Sequence, residues 1–426
     1  MKKIGSSPNI VGNRRNYYLQ IMKEEILFTA ALGIRTPWVI EEISFKEGEG
    51  KGELHIWIKC ESGSKFEYEG DHYSMYDHQD RTWRHLDFFQ HVCYLHCKVP
   101  RIQTKAGKTL LVEVPWASES SKFTLLFEDK VLELLNLGMS NSAVGRHFGI
   151  DGKTIFRIAK RRVVVALAEE QLDEVKRIGL DETSYQKGHK YLTILTDREL
   201  KKVVGIGIGR TKDSVNEALM EMEIRGSERE LIKEISMDMS KSYISAHQEY
   251  IPNSSIVFDR FHLVYNLNRK IDEIRKREQK EFKELKGTKY IWLKNGKNLS
   301  ETQKEIITAL EGQYLQTGKA YQLKEQFREV MDNAVNDKKL KWLNGWMKQA
   351  WESGIEEMQE YVKLLSDHWY GIKTYFNKMA NNGFAERVNL TIQEIKRIAY
   401  GYRNIENYKI MIYLRLGKLN LTTHYK

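Results

Sequence analysis

Residues 177–197 read RIGLDETSYQKGHKYLTILTD, 201–209 KKVVGIGIG, 213–224 DSVNEALMEMEI, 234–238 EISMD, 242–250 SYISAHQEY and 254–259 SSIVFD. The first two segments hold three short β-branched or apolar runs separated by turn residues, the pattern of consecutive strands. The third and fifth carry helical spacing, and EIS and SIVF are short apolar runs of buried-strand type. The order is therefore three strands, helix, strand, helix, strand.

That order is the one of a ribonuclease-H-like mixed sheet, so the fold class expected is α/β, with several domains. In such a sheet the first and fourth strands are neighbours. Asp181 lies in the first and Asp238 ends the fourth, so the two should meet across one strand spacing. Residues 263–378 interrupt the alternation. They are almost entirely helical in pattern, dense in charge, and carry Trp292, Trp342, Trp346, Trp351 and Trp369, which reads as a helical insertion. The pattern then returns at 383–404, GFAERVNLTIQEIKRIAYGYRN, as one amphipathic helix with Glu386 in its first turn. At 100° per residue, Glu386, Asn389, Gln393 and Arg397 share a stripe, and Val388, Ile392, Ile395 and Ala399 share the opposite one. The expectation is that the apolar stripe packs on the sheet edge while Glu386 reaches Asp181 and Asp238.

Three converging carboxylates have a chemical use. In-line attack on a phosphodiester develops charge on the attacking and the leaving oxygen, and two divalent cations about 3.5–4 Å apart stabilise both. Hard oxygen ligands favour Mg²⁺ or Mn²⁺ over zinc, so Asp181, Asp238 and Glu386 are the expected metal ligands. Without metal they would repel one another. Singly, each has a plainer explanation: an Asp at a strand end is usually a turn or cap residue, and a Glu at a helix start is favoured by the helix dipole.

Working outward, residues 1–36 read as a helical arm and 37–118 as a β-rich module. WVIEEISF and ELHIWIKC form a hairpin around KEGEGKG, and DFFQHVCYLHCKVP and TLLVEVPW pair around KAGK. Residues 119–170 have the rhythm of a helix-turn-helix: a helix ending at Gly138, a short one capped by Ser140 or Asn141 and broken at Gly149, and a third capped by Asp151. The third begins with Lys153 and Thr154 and continues with Arg157, Lys160 and Arg161, polar groups for base edges followed by cations for phosphates. Lys396, Arg397 and Arg403 are further candidates for phosphate contact. The sheet itself divides into 171–262 and 379–426, on either side of the insertion.

The chain has 426 residues, 68 Lys and Arg against 58 Asp and Glu, and a net charge of +10, which favours a polyanionic partner such as double-stranded DNA. Its three cysteines, Cys60, Cys93 and Cys97, are too few for a disulfide scaffold. The N-terminus has no signal-peptide core, and no apolar run reaches the roughly 18 residues of a membrane span. A cytoplasmic protein with no membrane partner, acting at the bacterial nucleoid, is the expectation.

The segments IGLDETSYQKGHKY, SMDMSKSYISA, IVFDRFHLV and NNGFAERVNLTIQEIKRIAYGYRN, with YDHQDRTWRHLDFFQHVCYLHCKVPRI and VPWASESSKFTLLFE upstream, resemble the ISL-three family of bacterial insertion-sequence transposases. The resemblance covers about Trp38 to Tyr408. It implies a zinc-finger-like module, a helix-turn-helix and a DDE catalytic domain with a helical insertion, the triad falling on Asp181, Asp238 and Glu386. FDRFH is similar to an Asp-x-x-His element of several DDE families, which adds Asp259 and His262. The implied function is binding of terminal inverted repeats, metal-dependent strand cleavage and strand transfer, with a homodimer joining two ends. The competing readings are a nuclease on the same sheet and a catalytically inactive DNA-binding repressor. The finger departs from the family: Cys60 has no close second cysteine, and a zinc site of Cys60, Cys93, Cys97 and a histidine would fit no standard spacing.

Overall fold

A computed structural model describes residues 25–47, 51–186, 188–311, 313, 315–332, 336–378 and 383–421. The expected N-terminal helix is present over 25–32 (α1); its earlier residues lie outside those described. Contacts divide the chain into two compact units, one up to Ala159 and one over Lys160–Asn420.

The first unit contains β1 (Trp38–Lys46), β2 (Glu53–Cys60), β3 (Lys65–Tyr68), β4 (Asp71–Phe88), β5 (His91–Gln103) and β6 (Thr109–Leu111). Their order is β1-β2-β5-β4-β3, with β6 on β5. β1 and β2 form the expected antiparallel hairpin, and β2 runs parallel to β5. Strand alternation puts Leu54, Ile56 and Ile58 of β2 and Cys93, Leu95 and Cys97 of β5 on one face. There they are buried with Trp83, Trp116, Phe28 and Leu32. One sequence reading needs correction. DFFQHVCYLHCKVP is not one strand: β4 ends at Phe88, Phe89 turns with φ 52°, and β5 begins at His91, opposite Phe88.

Helices α2 (Leu125–Asn136) and α3 (Asn141–Phe148) and the start of α4 (Gly152–Glu169) follow. Thr124 caps α2, Ser140 accepts from the Ala143 amide to cap α3, and Gly149 ends α3 with φ 69°. Asp151 Oδ1 accepts the Thr154 amide at 2.9 Å and opens α4. The turn is tight because Gly145 has no side chain: a Cβ there would stand 2.5 Å from the Ile150 carbonyl oxygen. Phe127, Val131, Leu135, Val144, Ile155 and Ile158 are buried in this trihelical unit, which is a helix-turn-helix.

The second unit holds β7 (Arg177–Gln186), β8 (Lys190–Asp197), β9 (Lys202–Ile208), α5 (Lys212–Ile224), β10 (Glu234–Met237), α6 (Lys241–Tyr250) and β11 (Ser255–Phe258). The sheet order is β11-β10-β7-β8-β9, mixed: β7, β8 and β9 run antiparallel, and β10 is parallel to both β7 and β11. The glycines of GIGIG let α5 lie directly on β9. A Cβ at Gly205 would collide with the Ala218 carbonyl, and one at Gly207 with that of Ser214.

Among the described residues, the α-helices that follow are α7 (Arg260–Glu278), α8 (Lys289–Leu293), α9 (Glu301–Glu311), α10 (Gln316–Asp332), α11 (Asn336–Glu352), α12 (Glu356–Asp367) and α13 (Trp369–Lys378). Trp292 and Trp346 are fully buried among them, their indole N–H groups donating to Thr288 Oγ1 and the Leu323 carbonyl. Trp342 and Trp351 remain nearly half exposed. The apolar cluster runs without a break from the sheet (Ile178, Ile235, Phe258) through Leu263 and Leu267 of α7 into these helices. The insertion is therefore packed on the sheet. Helices α14 (Gly383–Ile398) and α15 (Ile405–Leu416) end the unit. Among the described residues no helix is long and apolar enough to cross a membrane.

Candidate active site

The site is set by strand register. β10 runs beside β7 with Ile235 opposite Ile178 and Ser236 opposite Gly179, and beside β11 with Met237 opposite Phe258. Continued past the paired ends, these registers align Asp181, Asp238 and Asp259 in one row across three neighbouring strands. Strands are about 4.8 Å apart, so register alone would set these three backbone positions about one strand spacing apart. The row lies at the carboxyl ends of β10 and β11, where open α/β sheets bind their ligands, and midway along β7.

Two of these aspartates also do local work. Asp238 Oδ1 accepts the Ser240 amide at 2.8 Å, and Ser240 caps α6. Asp259 caps α7, accepting the Phe261 amide at 2.9 Å. Each bond occupies only one carboxylate oxygen. Asp181 is held from two sides: Oδ1 accepts the Glu182 amide at 2.7 Å, and Oδ2 accepts Asn389 Nδ2 of α14 at 2.6 Å. On the same helix Gln393 Nε2 donates to Thr183 Oγ1 and the Ser184 carbonyl, and Lys396 Nζ donates to that carbonyl at 2.9 Å. The polar stripe of α14 therefore faces β7. Val388, Ile392 and Ile395 of its apolar stripe are buried, and the Tyr408 hydroxyl of α15 donates to the Ile392 carbonyl. The amphipathic pattern assigns the apolar stripe to the sheet edge; Asn389, Gln393 and Lys396 of the polar side also bond to the sheet, at β7. Glu386 lies in the first turn of α14, but its side chain is outside those described.

Burial pushes the Asp181 carboxyl from its ordinary 3.8 up to about 6, and the charge of Asp259 adds to the rise. The bonds from the Glu182 amide and Asn389, and the nearby His262, oppose it. Glu182 is also raised, first by burial and then by Asp238, against Arg210 and His262. Asp181, Glu182, Asp238, Asp259 and His262 thus act on one another electrostatically. Glu182, Asn389 and Gln393 were not picked out by sequence reasoning as site residues. The available signal was the i, i+3 and i+7 spacing of Asn389 and Gln393 from Glu386.

Among the described residues no three His, Cys, Asp or Glu side chains stand together closely enough to hold a metal ion, and Glu386 lies outside that search. Two observations nonetheless suit a cation here. Asp181 is a half-buried carboxylate resisting ionisation, and the buried Asn389 Oδ1 beside it has no hydrogen-bond partner. Both are hard oxygen donors of the type Mg²⁺ takes.

The three cysteines present a different picture. Cys93 and Cys97 sit in the apolar core of the first unit, and burial pushes both thiols up to about 12. Of the candidate DNA contacts, Lys153, Arg157, Lys160, Arg397 and Arg403 are exposed and Arg161 is half-buried. Thr154 is tied into the cap, donating to Asp151 Oδ2 at 2.5 Å and accepting from Arg157 Nη2 at 2.6 Å.

Residues 178–412, more than half of the chain, match the DDE family described as "Transposase" of the ISL3 type. The chain belongs to the ISL3 transposase family. Residues 112–163 match the "Helix-turn-helix domain of transposase family ISL3", which covers α2, α3 and the start of α4. The chain is 26% identical over 345 residues to the transposase for insertion sequence element IS1001 of Bordetella parapertussis, covering 78% of this chain and 83% of that one. It is 26% identical over 421 residues to the transposase for insertion sequence element IS1557 of Mycobacterium tuberculosis, covering 90% and 93%. The family match begins on β7 and ends within α15, so it takes in both the aspartate row and the helix bonded to it.

Proposed function

We propose that this ISL3 transposase binds the terminal inverted repeats of an insertion element and cleaves and joins DNA strands at Asp181, Asp238 and Glu386. The observation that carries the reading is the row of Asp181, Asp238 and Asp259 on adjacent strands, with α14 bonded to the first of them. The sheet order β11-β10-β7-β8-β9 supports a ribonuclease-H-like catalytic domain.

In this reading Asp181, Asp238 and Glu386 hold Mg²⁺ or Mn²⁺, which supply charge stabilisation to both oxygens of an in-line displacement. Asn389 orients Asp181 by its 2.6 Å bond and offers its free Oδ1 to the same centre. Asp259 opens α7 and so places His262, on the first turn of that helix, beside the row to orient a phosphate. The helix-turn-helix contributes Lys153, Arg157, Lys160 and Arg161 to the repeat, and Lys396, Arg397 and Arg403 line the approach from α14. A symmetric dimer brings two ends and two active sites together.

The test is a strand-transfer assay with element ends carrying free 3′-hydroxyls, wild type against Asp181→Asn and Asp238→Asn. Joined products from wild type alone are expected. Nicking without joining would turn the reading to a nuclease, and binding without nicking to a repressor.

A further inference from the structure

Helix α7 leaves the aspartate row with an exposed aromatic edge. Leu263, Leu267, Ile271 and Ile274 are buried on one side. At 100° per residue Phe261, Tyr265 and Arg269 fall on the opposite side. Phe261 is 54% and Tyr265 51% exposed. Their rings lie 6.2 Å apart and only 16° from parallel. Phe261 also meets the His262 ring edge-on at 5.4 Å. Two large rings in water, stacked on each other and touching a site histidine, bury little of the helix core. Their cost in exposed apolar area points to an external partner.

Resting on the transposase reading, we infer that Phe261 and Tyr265 form a stacking surface for unpaired bases of the DNA strand beside the scissile phosphate. Single-stranded nucleic acid is held by aromatic faces that stack bases and by cations that follow the backbone. The edge supplies both: two rings, then exposed Arg269 one further turn along. Its start at His262 puts the first stacked base next to the phosphate being cut. A duplex offers no free base faces, so the surface is specific for strands that have parted.

The test uses the full chain and a single strand carrying 2-aminopurine, without divalent metal. Stacking on wild type quenches the fluorophore. Phe261→Ala combined with Tyr265→Ala should abolish the quenching and weaken single-strand binding about 5- to 150-fold per ring. Binding to a duplex carrying the element's inverted repeat should stay within about twofold, which also shows that the variant is folded. Phe261→Trp with Tyr265→Trp should restore quenching. Unchanged quenching in the alanine variant, in a protein that cleaves, overturns the inference alone. Quenching that depends on the two rings in a protein that never cleaves leaves the inference standing and sinks the transposase chemistry.

Discussion

Asp181→Asn should stabilise the metal-free protein at neutral pH while abolishing cleavage. The carboxyl titrates at about 6 in the fold instead of 3.8, chiefly because it is buried. A shift of that size corresponds to about 3 kcal/mol against the ionised form. The sign follows from the direction. A folded value above the unfolded one means that the cost is absent below about pH 3.8, grows between there and about 6, and is complete above. Asn carries no charge to desolvate. It still accepts a hydrogen bond from the Glu182 amide or from Asn389, though a neutral acceptor forfeits about 1 kcal/mol of that interaction. The net gain above pH 7 is about 2 kcal/mol, roughly 4–8 °C in Tm for a unit of this size. The assay is thermal unfolding in chelator at pH 4 and pH 8, wild type against variant. The two should converge at pH 4 and separate at pH 8, with the variant higher. Added Mg²⁺ should raise the wild-type Tm and leave the variant unmoved, because only the wild type has a ligand set to be stabilised by binding. A variant that melts below wild type at pH 8 in chelator would refute the reasoning, since it would mean that the buried charge is compensated in the empty site.

Asn389→Ala removes a charge-assisted bond to Asp181 and should slow cleavage about 10- to 150-fold. It should also move the acid limb of the pH–rate profile to higher pH, because that bond holds the Asp181 carboxyl down; an unshifted limb would show that Asn389 does not act through Asp181. Replacing both Lys153 and Arg157 by Ala should weaken end binding and lower the log–log salt slope by roughly 0.9 for each phosphate no longer neutralised; a slope equal to wild type, measured by titration at several salt concentrations, would place the DNA elsewhere. Gly145→Ala forces a Cβ against the Ile150 carbonyl and should abolish end binding by unfolding the turn between α3 and α4, read out as faster hydrogen exchange at those amides.

The parts of this fold legible in the sequence are those where one periodicity had one physical cause. The strands around Asp181, Asp238 and Phe258 are apolar because both faces of that sheet are covered, so they stand out between turn residues. The helix-turn-helix was legible because Ser140, Gly149 and Asp151 are each needed by backbone geometry at that point. β4 was not legible. Its first half, Asp71 to Asp80, has no buried residue, so nothing in its side chains alternates with burial. It is held as a strand by its backbone pairing with β5 and β3. The break at Phe89 was hidden for a related reason: an aromatic in a left-handed turn carries none of the Gly, Asn or Asp signals by which hairpins are read.

The late helix shows where amphipathic reasoning stops. Its two stripes were correctly separated, but the choice of which one meets the sheet needs knowledge of every competing apolar surface. The Tyr408 hydroxyl of α15, a helix whose Tyr408, Met411, Ile412 and Leu414 are all buried, donates to the Ile392 carbonyl of α14. α14 also turns Asn389, Gln393 and Lys396 onto β7. Three polar contacts to one strand are a poor use of a helix if stability alone is counted, because buried polar pairs contribute only about 1 kcal/mol each. They make sense for position. They fix the rotation of α14 about its axis, and with it the direction in which its first turn faces. Polar contacts that amphipathic packing alone does not predict are therefore what a site shared between a strand and a distant helix requires.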